Sequence, residues 1–152
     1  MPSKPRPESG LRATALNTLA RREHARFELE RKLSGKGFNR TSVAQLLNQL
    51  ESEGLLSDSR FAESFVCSRR QRGFGPLRIK MELRERGVDD VLIRTNLDDP
   101  AIEWLDLARQ AFHKRFGREK VRDTREYARR VRFLQGRGFS KPTIMAVLKE
   151  LE

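Results

Sequence analysis

Three glycines, Gly37, Gly87 and Gly138, lie 50 and 51 residues apart in this chain of 152, each inside the same seven-residue signature. The signature reads Leu33-Ser34-Gly35-Lys36-Gly37-Phe38-Asn39, then Leu83-Arg84-Glu85-Arg86-Gly87-Val88-Asp89, then Leu134-Gln135-Gly136-Arg137-Gly138-Phe139-Ser140. Self-similarity at such a period means repeated supersecondary units. Each copy reads as a helix stop followed at once by a helix start. The glycine suits the left-handed C′ position, where a Cβ would be strained. The Leu four residues earlier is then C3 and the apolar residue after the glycine is C″, the two positions that touch in a Schellman motif. Asn, Asp or Ser comes next, the preferred N-cap class. Lys or Arg before the glycine suits the negative end of a helix dipole.

The segments after the signatures repeat as well. Val43, Leu46, Leu47 and Leu50 come after the first; Ile144, Val147, Leu148 and Leu151 fall at the same offsets after the third. After the second, Ile93 and Leu97 keep two of those offsets, while Val91 and Leu92 shift. These are helical spacings with one buried face. No window alternates β-branched residues as a strand would. The expected fold class is all-α: three tandem three-helix, helix-turn-helix-like repeats forming an elongated, curved body. The expected boundaries are a flexible tail over 1–10 and repeats over 11–54, 57–98 and 101–152. Gly73-Phe74-Gly75-Pro76 breaks a helix, and Pro76 suits the first turn of the next.

The net charge is +11, with charged residues making up 35% of the chain. A balance so far from neutrality favours an acidic partner, with nucleic acid first and a membrane surface second. No stretch approaches the roughly 20 apolar residues of a membrane span, and the N-terminus has no signal-peptide apolar core. The single cysteine, Cys67, excludes an internal disulfide framework and fits a reducing cytosol. It is expected to be a core or near-surface packing residue rather than a nucleophile. Little points to catalysis or a cofactor. There is no phosphate-cradling G-x-x-x-x-G-K-[ST], and Gly73-x-Gly75 follows no strand. His24 and His113 stand apart with no cysteine pair, which argues against zinc. Acids interleave with bases at helical spacing, Glu28 with Lys32 and Glu82 with Arg86, as surface pairs do. A non-enzyme without cofactors is expected.

The basic clusters remain. Arg21, Arg22 and Arg26 lie at the junction of the first two helices of repeat 1, and Arg69, Arg70 and Arg72 at the same junction of repeat 2. Arg78, Lys80, Arg84 and Arg86 lie on the next helix. Arg125, Arg129, Arg130 and Arg132 take a related place in repeat 3. One reading is a solvated basic surface. The other is a stripe that tracks a phosphate backbone, since arginine's planar fork suits phosphate or carboxylate. Phe74, beside the second cluster, reads either as a base-stacking ring or as a buried anchor for its turn. Insertion of a third helix into a DNA groove is disfavoured, because that helix of repeat 1 carries Glu51 and Glu53.

The chain resembles the RecX family, bacterial modulators of the RecA recombinase. Arg22-Glu23-His24-x-x-x-Glu28-Leu29-x-x-Lys32-Leu33 is similar to that family's opening motif, and Asp58-x-Arg60-Phe61-Ala62 to its next block. Arg72-Gly73-x-Gly75-Pro76-x-x-Ile79 with Leu83-x-x-x-Gly87-Val88 resembles the central block, and Gly136-Arg137-Gly138-Phe139-Ser140 the C-terminal one. The resemblance implies a cytoplasmic regulator that binds RecA and the RecA–ssDNA filament. It would suppress ATP hydrolysis, strand exchange and the stimulated self-cleavage of a repressor, and so modulate DNA repair and the SOS response. A monomer is expected, with single- or double-stranded DNA as a direct partner also open and no membrane partner. The alternatives are a general DNA-binding protein or transcriptional regulator acting without RecA, and an interaction module with no nucleic-acid role.

Overall fold

A computed structural model describes residues 10–151. The tail expected over 1–10 therefore lies outside the described residues, apart from Gly10 at the N-cap of the first helix. Among the described residues all regular structure is helical. Helices α1 (Leu11–Arg21), α2 (Arg26–Gly35) and α3 (Arg40–Ser52) are followed by α4 (Asp58–Gln71), α5 (Pro76–Glu85) and α6 (Asp90–Leu97). Helices α7 (Trp104–Phe116), α8 (Thr124–Arg137) and α9 (Lys141–Lys149) complete the order.

The expected corners form, and for the expected reason. Gly37, Gly87 and Gly138 all have positive φ, at 93°, 74° and 97°. At the first corner the Phe38 amide donates to Leu33 and the Gly37 amide to Ser34, which is the Schellman pair. At the third, Phe139 donates to Leu134 and Gly138 to Gln135. The N-caps behind them also hold. Asn39 accepts from the amides of Thr41 and Ser42, the Asp89 carboxylate from Val91, and Ser140 from Thr143.

The described residues divide into two compact units, 10–64 with 84–92, and 65–83 with 93–151. The division passes through α4, α5 and α6, so it does not follow the repeat period. In the first unit Leu29 and Leu33 of α2 pack with Val43, Leu46, Leu47 and Leu50 of α3. Leu11 and Ala15 of α1 close that core. In the second unit Ala108 and Phe112 of α7 pack with Leu134 of α8 and Ile144, Val147 and Leu148 of α9. The offsets shared by the signatures are thus buried ones, except that Leu151 at the last offset is only partly buried.

Several expectations are corrected. Val91 is 60% exposed, so the shifted position after the second signature is a surface one. Spacing groups Tyr127 with Val131 and Leu134 on one face of α8, but Tyr127 is exposed and the position toward the core is taken by Arg130, which is only 2% exposed. Arg130 stands one helical turn before the buried Leu134, on the same face of α8. Its charge is met inside the fold by Glu126 at 2.6 Å and the Glu119 carbonyl at 2.8 Å, with the Phe112 and Phe116 rings beside it. It therefore supplies no surface charge. Cys67 is exposed, which leaves the surface alternative and removes the core one.

Candidate nucleic-acid interface

The site in the second unit is built on a backbone clasp. The loop between α4 and α5 runs against the end of α8. The Gly75 amide donates to the Arg137 carbonyl at 2.7 Å, and the Leu77 amide to the Gly138 carbonyl at 2.9 Å. Two guanidiniums return the grip: Arg78 donates to the Gly136 carbonyl and Arg137 to that of Arg72. Phe74 lies among three guanidiniums, with Arg78 4.3 Å, Arg137 4.9 Å and Arg69 5.7 Å from its ring centre. Phe74 is half-buried there, with these guanidiniums around its ring.

Beside the clasp a groove of about 420 Å³ opens between the end of α4, the last turns of α7, and α8. Its cations are Arg70, Arg72, Lys114, Arg115 and Arg137. Among the described residues none of the five pairs with a carboxylate, whereas nearby Arg69 and Arg78 share Glu82 at 3.0 and 3.2 Å. Arg137 is positioned by partners that carry no charge: two aromatic rings and a carbonyl. Its full charge therefore remains for a ligand. The Arg70 Nε is buried and has no hydrogen-bond partner among the described residues. The floor is apolar, made by Leu107, Ala111 and Phe133.

The opening motif forms a hydrogen-bonded ring in the first unit. Arg22 grips both oxygens of Glu28 at 2.8 and 3.0 Å, and Glu28 also accepts from the Ala25 amide, half of a capping box. His24, 1% exposed, faces the Arg22 carbonyl through Nδ1 at 3.0 Å. A carbonyl only accepts, so Nδ1 carries the proton and Nε2 accepts from Lys32 at 2.8 Å. Glu28 thus pairs with Arg22 and not with Lys32. Burial chiefly, with the charges of Arg22 and Lys32, holds the His24 imidazole below its ordinary pKa and neutral. Burial alone would raise Glu28, but the bonds from Arg22 and Ala25 outweigh it and pull its carboxyl below the usual range. Arg21, Lys32 and Lys36 line a basic concavity beside this ring.

The block after α3 is adhesive as well. The Asp58 carboxylate accepts from the Arg26 amide at 2.7 Å, capping α2 across 32 positions of sequence. Arg60 pairs with Glu23 at 3.0 Å, while Phe61 and Ala62 are buried. Ser57 is the local cap of α4, accepting from the Arg60 amide.

The structure sorts the sequence-predicted cations into two groups. Arg22, Arg26, Arg69, Arg78, Arg84 and Arg130 are neutralised by Glu28, Glu51, Glu82, Glu82, Asp90 and Glu126. Arg21, Arg70, Arg72, Lys80, Arg125, Arg129 and Arg132 have no carboxylate partner among the described residues. Arg125 and Arg129 border a concavity of mixed sign with Glu119, Asp123 and Glu126. Sequence reasoning missed Lys114, Arg115 and Arg137. The period could have found the first two. The basic ends of α1 and α4 have their counterpart at the end of α7, not on α8 where the third cluster lies. Arg137 sits inside the repeated signature, and its place at a corner hides its second role.

Comparison with known proteins covers nearly the whole chain. Profiles described as the first, second and third three-helix domains of RecX match residues 12–50, 57–97 and 101–148. The Regulatory protein RecX of Halorhodospira halophila is 47% identical over 136 residues, covering 90% of this chain and 84% of that protein. That of Chromohalobacter salexigens is 46% identical over 132 residues, covering 87% and 86%. The crystal structure of RecX from Lactobacillus salivarius superposes with a TM-score of 0.73 at 24% identity, covering 95% of this chain and 96% of that one, a likeness of fold.

Proposed function

The chain belongs to the RecX family, and from that premise we propose that it is a non-enzymatic, cytoplasmic regulator of RecA. It binds RecA and the RecA–ssDNA filament and inhibits ATP hydrolysis, strand exchange and stimulated repressor cleavage, so modulating recombinational repair and the SOS response. The observation that carries the reading is the match of all three RecX domains in order from residue 12 to 148. The groove with five cations and no carboxylate supports an acidic partner. No helix of the described residues is long and apolar enough to cross a membrane. The protein acts as a monomer without a cofactor, and its repeats, taken as 11–54, 57–98 and 101–152, are its units of design.

The test is RecA's DNA-dependent ATP hydrolysis on excess single-stranded DNA while this protein is titrated in. Inhibition well below one molecule per RecA is expected, as befits a block on filament growth. Absence of inhibition overturns the reading. A second reading, a general DNA-binding protein acting without RecA, is favoured by the unpaired cations. It requires tight, strongly salt-dependent binding to duplex DNA alone.

A further inference from the structure

We propose that the groove between α4, α7 and α8 is a binding site for a nucleotide unit of single-stranded nucleic acid, its phosphates on Arg70, Arg72, Lys114 and Arg115 and its base on the apolar floor. The proposal deepens the RecA reading by naming a ligand class and a place, yet it concerns this chain by itself and is measured without RecA.

Two halves of the groove ask for two halves of a nucleotide. The rim carries unpaired cations, and clustered like charges in one concavity favour a bound anion. Arginine and lysine there meet phosphate without first breaking an ion pair, which is not true of Arg69 or Arg78 beside them. The floor carries the opposite chemistry. Leu107, Ala111 and the edge of Phe133 offer an apolar seat, and two amides, Gln71 and Gln110, stand at its margin. The Arg137 guanidinium, 5.2 Å from the Phe133 ring centre and 4.9 Å from that of Phe74, is a preordered plane at one end. Bases unstacked from their neighbours rest on guanidinium planes and apolar side chains. The volume, about 420 Å³, lies within the roughly 300–1,000 Å³ of small-ligand sites.

The floor also selects strand number. A duplex offers phosphates and sugars at its surface and keeps its base faces stacked inside. It can use the rim alone. A single strand can turn one base down and use both. Specificity among bases should be weak, because an apolar seat accepts any base face.

The test is fluorescence anisotropy of a labelled oligothymidylate, and of a duplex of equal length, with the full chain at moderate salt. Lys114→Glu with Arg115→Glu is compared with Arg94→Glu and Lys141→Glu, an exposed pair outside the groove with the same change in net charge. The groove pair should weaken oligothymidylate binding at least about tenfold and the outside pair by less than about threefold, since charges remote from the ligand act only through screened long-range attraction. Duplex binding, confined to the rim, should be weaker than that of the single strand in the wild-type chain and should also fall more with the groove pair than with the outside pair. If circular dichroism shows a loss of fold, Lys114→Gln with Arg115→Gln repeats the comparison.

Equal losses from the two pairs would reduce the groove to one part of a diffuse basic surface and overturn the proposal. So would tighter binding of duplex than of single strand. Binding of labelled polyglutamate that the groove pair abolishes, with no oligothymidylate binding, would give the groove to an acidic protein segment instead. RecA inhibition by the same variants is read separately. If oligothymidylate binding is lost while inhibition persists, the groove stands and its part in RecA regulation falls. If the wild-type chain binds single strands through the groove but never inhibits RecA, only the functional reading falls.

Discussion

The Gly75 amide donates to the Arg137 carbonyl at 2.7 Å, joining two segments 62 positions apart by backbone alone. A side chain at Gly75 would stand in the way: a Cβ there meets the Gly138 carbonyl carbon and oxygen at 2.5 Å and the Phe139 nitrogen at 2.7 Å. None of these is a flexible side-chain end that could move aside.

Gly75→Ala is therefore expected to destabilise the second unit by about 1–3 kcal/mol, the scale of overpacking, with α7–α9 still folded. Gly136→Ala is the contrast. Nothing lies within 4 Å of a Cβ there, and the residue is inside α8, so it should stabilise by up to about 1 kcal/mol. Urea unfolding of the two variants should move the midpoint in opposite directions.

Arg137→Ala removes contacts with Phe74 and Phe133 and the bond to the Arg72 carbonyl. The loss should be about 1–2 kcal/mol, from cation–π terms near 0.5–1 kcal/mol each and one part-exposed hydrogen bond. Arg137→Lys should recover less than half, because an ammonium cannot stack as a guanidinium plane does. Thermal melts of the three proteins would show recovery of most of the stability if charge alone mattered.

Arg130→Ala and Arg130→Met should separate sharply. Alanine leaves a hole beside Phe112 and strips Glu126 of its partner, with an expected cost of about 2–5 kcal/mol. Methionine fills the volume and removes a buried guanidinium whose Nε has no partner among the described residues. Buried pairs replaced by apolar groups are often no worse, so Arg130→Met should lie well above Arg130→Ala in denaturant midpoint.

Acid should weaken the first unit in two stages. His24 is held neutral in the fold, whereas the unfolded chain takes up its proton as pH falls below about 6.5. The stability this residue contributes is complete above that pH and is lost as pH falls toward its lowered folded pKa. The Glu28 carboxyl is lowered as well, so its contribution is present above about 4.3 and is lost through its depressed folded value. His24→Gln keeps an acceptor for Lys32 without the titration. It should flatten urea midpoints between about pH 7 and pH 5.5 while leaving the lower stage in place.

Much of the fold was legible because corners and buried faces are local. Gly37, its C3 leucine and Asn39 declare their roles within seven residues, and Val43, Leu46, Leu47 and Leu50 declare theirs by spacing. The site was less legible because charge state depends on neighbours distant in sequence. Arg69 and Arg70 are adjacent, yet one is spent on Glu82 while the other faces the groove. Arg130 looks like its exposed neighbours until Leu134 fixes the face of α8. The Asp58 carboxylate, next to the Ser57 that caps α4, caps α2 across 32 positions of sequence. The motifs that carry the family resemblance largely mark such long-range joints.

The clasp also supplies its own gauge. The amides of Gly75 and Leu77 lie outside the helical ladders and are bonded only to carbonyls of the α8 end. Their protons are released to solvent deuterium when the joint opens, even if every helix stays wound. Their exchange rates, set against those of the buried α7 and α8 amides, report how often the segments part, and thus whether the joint breathes apart from global unfolding.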